Sequence, residues 1–414
     1  MKLNKKIAAV LLAMFTVVAA YADNGVNSPY SRYGVGLLSN QSLGVNRQMG
    51  GLGYGLRSNS YINILNPASF AQADTLTMLF ETGFSLQNIN FKEGNKQINA
   101  KNASFDYIAI QFRICKNLGL SAGFLPYSNV GYSFSNTSSE GMNESSTNTY
   151  SGTGGIYQPY IGLGWKPFKW LSIGATGSYI YGDINHEVGI DFANSTDRSR
   201  TYSLSLKSYK VDFGMQLSAK FAKKHEIVLG GTYSLGHDMN ADAKVTESTS
   251  SSTSTTEIEG GFQLPHTYGA GFVYGYDNKL KIGADYTLQQ WSSSSFFGTD
   301  KGLDRSKISV GSEYSPNELS KNIFKMMSYR VGAYYAQPYA EINGKKGCDE
   351  FGVSAGVSLP FLNRNNKNSF ATLHVSGEYV RMEPRSSGMI AENCLRLNIG
   401  ITFNENWFMK LKVR

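Results

Sequence analysis

The stretch Cys394-Leu395-Arg396-Leu397-Asn398-Ile399-Gly400-Ile401-Thr402-Phe403 is apolar at every odd position and polar or small at every even one. That is the period of a strand with one apolar and one wetter face. About ten residues in this pattern, tilted, cross a bilayer, and a sheet in lipid must close on itself because no water satisfies an open edge. The fold expected from this segment is all-β: a transmembrane antiparallel β-barrel.

The same pattern recurs upstream. Strands are expected near 75–92, 104–115, 118–134, 150–165, 170–186, 201–221, 226–245, 258–275, 279–291, 305–315, 326–337, 350–361, 369–381 and 393–403, about fourteen in all. Short turns (Lys116-Asn117, 166–169, 222–224, 276–278, 362–368) alternate with longer polar loops (93–103, 135–149, 246–257, 292–304, 338–349). Short periplasmic turns and long outer loops belong to this architecture.

The totals agree. Of 414 residues, 41% are hydrophobic and 17% charged, with 44 Gly and 26 Tyr. This is too polar for a helical membrane protein and charge-poor for a soluble one. The net charge of +8 is scattered without Lys/Arg clusters interleaved with aromatics, so nucleic acid is not an expected partner. Cys115, Cys348 and Cys394 have no metal or disulfide spacing, and the five histidines sit in no catalytic motif. Neither an enzyme nor a cofactor is expected.

Lys2, Lys5 and Lys6 precede an apolar run to Ala20 that ends Ala20-Tyr21-Ala22, which reads as a secretory signal over 1–22. Residues 23–74 follow as a plug or periplasmic segment, 75–403 as the barrel and 404–414 as a tail. Glycine-dense Met49-Gly50-Gly51 and the turn Asn66-Pro67-Ala68 are the candidate plug residues, since glycine permits tight turns and close backbone approach. The glycine run lacks the spacing of a phosphate loop.

Rows such as Ile108/Ile110/Phe112/Ile114, Leu280/Ile282/Ala284/Tyr286 and Phe351/Val353/Ala355/Val357 should face lipid. The opposite faces carry Arg113, Asp212, Lys281, Asp285, Glu313, Arg330, Glu378 and Arg396, four acids and four bases that fit either mutual pairing or a substrate path. Proline cannot donate to a ladder, so Pro126, in Gly123-Phe124-Leu125-Pro126-Tyr127, marks a bulge or a wall gap in the third strand. Pro159, Pro265 and Pro360 read as strand ends or bends.

Met49 to Gly55 leading into Asn66-Pro67-Ala68, then Leu264-Pro265, Gly269-Ala270-Gly271 and Ala284-Asp285-Tyr286 to Trp291, resemble the FadL-type long-chain fatty acid transporter family of outer-membrane barrels. The opening Ser28-Pro29-Tyr30-Ser31-Arg32-Tyr33-Gly34 and the tail Trp407-Phe408-Met409-Lys410 look like those of Bacteroidetes barrels. The resemblance implies fourteen strands closed by an N-terminal plug. It also implies a side opening at a third-strand kink, where Gly123, Pro126 and Tyr127 stand. Passive uptake of a hydrophobic or amphipathic small molecule is the first functional expectation. The alternative is a structural or accessory subunit of an outer-membrane assembly or secretion complex. Partners would be outer-membrane lipid, a hydrophobic ligand and other envelope proteins.

Overall fold

The computed structural model describes residues 26–138, 146–192, 197–258, 261–296, 300–317, 320, 322–342, 344–362, 370–386 and 388–406. The expected signal at 1–22 and the tail from Trp407 lie outside the described residues. Fourteen antiparallel strands form one closed barrel.

In chain order these are β1 (Thr77–Glu93), β2 (Lys96–Cys115), β3 (Leu118–Ser138), β4 (Ser146–Phe168), β5 (Leu171–Phe192) and β6 (Arg198–Phe221). Two interrupted strands follow, β7 (His225–Ser234, then Asn240–Thr249) and β8 (Thr253–Ile258, then His266–Tyr276). The ring is completed by β9 (Leu280–Gln290), β10 (Arg305–Tyr314), β11 (Ser328–Ala336), β12 (Cys348–Leu362), β13 (Phe370–Pro384) and β14 (Ala391–Asn406). Closure comes from β1 on β14, in register from Thr77↔Asn406 to Lys92↔Ala391. Neighbouring strands thereby satisfy one another's backbone groups around most of the ring, as lipid requires.

The outward rows are exposed and apolar: Ile282 is 47% exposed, Val331 55% and Val353 60%. Phe124 stacks on Tyr157 and Phe168 on Trp170, aromatic pairs of the kind that mark membrane interfaces. An exterior of this kind is stable only in a membrane, and the barrel is a bacterial outer-membrane protein.

Several expected loops are strand instead. The loop expected at 93–103 is a tight turn at Gly94, with β2 beginning at Lys96. Residues 246–257 form a hairpin, Ala243↔Ile258 to Ser248↔Thr253, and β14 runs three residues past Phe403. Above the bilayer both strand faces are wet, so the apolar alternation fades while the ladder continues. The wall is uneven as a result. β3 to β6 are 21 to 24 residues long, whereas β9, β10 and β11 have 11, 10 and 9, about what a bilayer needs. Pro159 lies within β4, not at an end, and the β4–β5 ladder skips Gln158 and Pro159.

Loops from the short side fold into the outer mouth. Trp291, Phe296 and Tyr339 are buried there with Val35 of the N-terminal segment and with Tyr127, Val130, Ile156, Ile180 and Leu206 of the tall side. A hydrophobic core thus caps the outer end of the lumen.

Candidate functional site

Residues 28–72 run inside the ring in short turns: Pro29–Arg32, the two-residue strand Leu37–Leu38, α1 (Gly44–Gln48) and Pro67–Gln72. Glycines on the wall let this plug touch backbone. A Cβ on Gly332 would stand 2.1 Å from the Met49 carbonyl carbon, and one on Gly174 would stand 2.4 Å from that of Pro67. No larger residue fits at either place without displacing the plug.

Polar contacts hold it around most of the circumference. Asp285 accepts from the amides of Gly53 at 2.6 Å and Tyr54 at 2.9 Å. Gln216 donates to the carbonyls of Tyr54 and Leu56, and Asn66 donates to Tyr54 and Met215. Ser354 receives the Gly50 amide, and Tyr107 receives that of Gly44. Burial pushes the Tyr54 phenol up to about 12, so it stays neutral while its hydroxyl meets Thr287 at 2.7 Å.

Of the candidate plug residues, Met49 is fully buried against Gly311 and Gly332, and Gly50, at φ +66, lies on Ala333. Gly51, at φ +82, borders the cavity described below. Asn66 caps the turn by accepting from the Ala68 amide at 3.1 Å, with Pro67 and Ala68 buried. All six are inside the ring.

Seven of the eight charges expected on the inner faces are also inside, and they are compensated there. Glu313 takes Lys281 at 2.8 Å and Arg330 at 2.6 Å; Arg330 continues to Gln48 of the plug at 2.9 Å. Arg396 pairs with Glu378 at 3.0 Å, Asp212 with Lys210, and Asp285 with the plug amides. Arg113 is the exception. It stands at the periplasmic rim, donating to Thr75 and to the Cys115 carbonyl.

Gly123, Pro126 and Tyr127 lie where two neighbouring strands separate. β2 and β3 pair only up to Ile108↔Phe124. Beyond that point β3 carries a bulge between Pro126 and Ser128 in its pairing with β4. The extra residue reverses the pleat, so Leu125 and Tyr127 face inward before it and Ser128, Val130 and Tyr132 after it. From there β3 leaves its β2-facing edge to other partners.

The chain's own N-terminal segment takes that edge. Gln41 donates to the Pro126 carbonyl at 3.0 Å, the Ser39 amide to Tyr127 at 2.9 Å and the Ser28 amide to Gly131 at 2.9 Å, while Leu37 and Leu38 register with Asn129 and Ser128. On the far side Asn27 meets Asn102 of β2 at 2.7 Å, Ser28 donates to Glu392 at 2.5 Å and Tyr30 to the Ile390 carbonyl at 2.5 Å. Nothing in the sequence marked this segment as a partner for β3, because a two-residue strand has no period.

Between seal, plug and capped mouth lies a cavity of about 380 Å³. Its walls mix apolar groups (Leu37, Ile89, Phe105, Tyr127) with ion pairs: Arg47–Asp106 at 2.7 Å and Arg305–Glu350 at 3.3 Å. Lys307 adds a cation 4.5 Å over the Tyr334 ring. The space suits an amphipathic small molecule and reaches both the gap and the mouth loops.

A family model described as BamG matches residues 3–414. No curated protein matches the chain in sequence. Solved structures do match in fold. A Pseudomonas aeruginosa FadL homologue gives a TM-score of 0.60 at 12% identity, covering 90% of this chain and 99% of that one. The Pseudomonas putida toluene transporter TodX gives 0.59 at 15%, covering 90% and 100%. The Ralstonia pickettii toluene transporter TbuX gives 0.54 at 15%, covering 88% and 98%. At such identities the likeness is one of fold.

Proposed function

The chain belongs to the BamG family on a FadL-type barrel, and from that premise we propose that it serves as an accessory subunit of an outer-membrane assembly or secretion complex. Its plugged barrel docks other envelope proteins and is not mainly a conduit. The observation that carries this reading is the seal. Where the wall parts between β2 and β3, residues 28–39 of the same chain occupy the β3 edge with main-chain hydrogen bonds. The plug, bound to the wall through Asp285, Gln216, Ser354 and Tyr107, and the apolar cap over the mouth support the same view.

Extraction of the tagged protein from outer membranes in mild detergent tests it. Stoichiometric co-purification of envelope proteins is the expected result, together with no hydrocarbon flux through the protein in liposomes. Isolation of a lone barrel that carries flux would overturn it.

A second reading, passive uptake of a hydrophobic or amphipathic compound, is favoured by one observation. The cavity of about 380 Å³ borders the same gap. On that reading residues 28–39 are displaced as cargo leaves sideways, and the purified protein carries bound ligand detectable by mass spectrometry.

A further inference from the structure

The short turns joining β2–β3, β4–β5, β6–β7 and β8–β9, and the longer connection from β10 to β11, all lie at the barrel's periplasmic end, where the plug enters β1. Basic residues concentrate on them. Lys220 is matched by Glu226 at 3.7 Å, and Asp277 is shared by Lys224 and Lys279 at 3.9 and 2.9 Å. Lys116, Lys166, Lys169, Lys223 and Lys325 have no ion pair among the described residues. Among the described residues the other acids here are Asp74 and Glu405. At the opposite rim acids are interspersed with the bases, with pairs such as Arg200–Glu247, Lys244–Glu257, Arg381–Glu383 and Arg385–Asp349, while Lys92, Lys96, Lys101, Arg198, Lys345 and Lys346 form no ion pair among the described residues.

These lysines sit beside aromatic side chains that face lipid. Lys169 lies between Phe168 and Trp170, whose rings stack at 5.5 Å with 57% and 54% exposure. Lys223 follows Phe221, which is 46% exposed. Lys325 follows Phe324, at 70% the most exposed large apolar side chain on the described surface. The helical turn that carries Phe324 (Ile323–Met326) is held by Tyr329, whose hydroxyl donates to the Phe324 carbonyl at 2.8 Å. Tyr329 pairs with Tyr314, which is 51% exposed, at the lower edge of the apolar belt. Rings at the acyl boundary with ammonium groups just below them match a leaflet of anionic headgroups.

We propose that this rim is a binding surface for anionic phospholipid of the periplasmic leaflet, with Lys116, Lys166, Lys169, Lys223 and Lys325 reaching headgroup phosphates and Phe168, Trp170 and Phe324 seated among the acyl chains. The inference is independent of the functional reading above.

The test uses the full chain with Trp407→Phe, reconstituted in bilayers containing brominated phosphatidylglycerol or brominated phosphatidylcholine at equal mole fraction. Trp165 and Trp170 report from this rim, and Trp291 is shielded by burial. Stronger quenching by the phosphatidylglycerol is expected. The preference should weaken in high salt, and should fall by about fivefold for each lysine in Lys169→Gln and Lys223→Gln, the scale for one basic residue at an anionic surface. These exposed turn variants should keep heat-modifiable migration on gels, which separates loss of lipid preference from loss of fold. Equal quenching by the two lipids at low salt overturns the proposal. Lysines protected from acylation only when periplasmic proteins are present would overturn it too, in favour of an acidic protein partner.

Discussion

The amide of Ser28 donates to the carbonyl of Gly131 at 2.9 Å, across the place where β2 and β3 part. Gly131 returns the contact by donating its own amide to the Ser31 hydroxyl at 3.1 Å. The first described residues are therefore built into the wall.

Locking that seal separates the two functional readings. Leu37 and Asn129 are register partners, so Leu37→Cys with Asn129→Cys should form a cross-link in the oxidising envelope, seen as a gel shift reversed by reductant. If the protein acts by docking partners, the locked form co-purifies with them as the wild type does. If cargo leaves through the gap, the locked form loses uptake and regains it on reduction.

Gly332→Val drives a side chain into the Met49 main chain, 2.1 Å from the position of its Cβ. Overpacking of this kind costs about 1–3 kcal/mol. Limited proteolysis should newly cut around Gly50 to Gly55 while the barrel stays protected. Gly231→Ala, where nothing lies within 4 Å of the added carbon, is the matched control and should leave the digest unchanged.

Glu313→Gln removes the acid shared by Lys281 and Arg330. Glu313 and Arg330 are almost fully buried, and breaking one side of such a pair costs roughly 3–5 kcal/mol. Urea unfolding in lipid vesicles should show that loss. The double variant with Arg330→Met should recover part of it, since no uncompensated guanidinium is left behind.

Asp285→Asn replaces a carboxylate that holds two plug amides. Hydrogen bonds to a charged acceptor contribute about 1.5–3 kcal/mol, and the amide retains a weaker acceptor. Faster hydrogen exchange confined to Gly53 and Tyr54 is the expected result. Exchange that rises across all strands would instead mark global destabilisation.

Much of the barrel is legible in the chain because a strand in lipid must alternate: Leu395, Leu397, Ile399 and Ile401 face outward in β14 just as their spacing implies. The same rule explains the misplaced loops. Between Lys96 and Ala103 no lipid enforces alternation, so the ladder of β2 leaves no period to read. Side-chain facing also has limits. Arg113 has the parity of a lumen residue but stands at the rim, and the bulge at Pro126 to Ser128 reverses parity in mid-strand. A missing N–H at Pro126 could be seen in the sequence. Its main consequence could not, because the groups that fill the opening, Ser28, Ser39 and Gln41, lie about a hundred positions away and act through backbone and one amide.

The seal also imposes an order of events. The edge that Ser28 and Ser39 occupy belongs to β3, so this segment is stitched in only after a strand about a hundred positions further along the chain is in place. Tension applied to the amino terminus would be felt first at that seam.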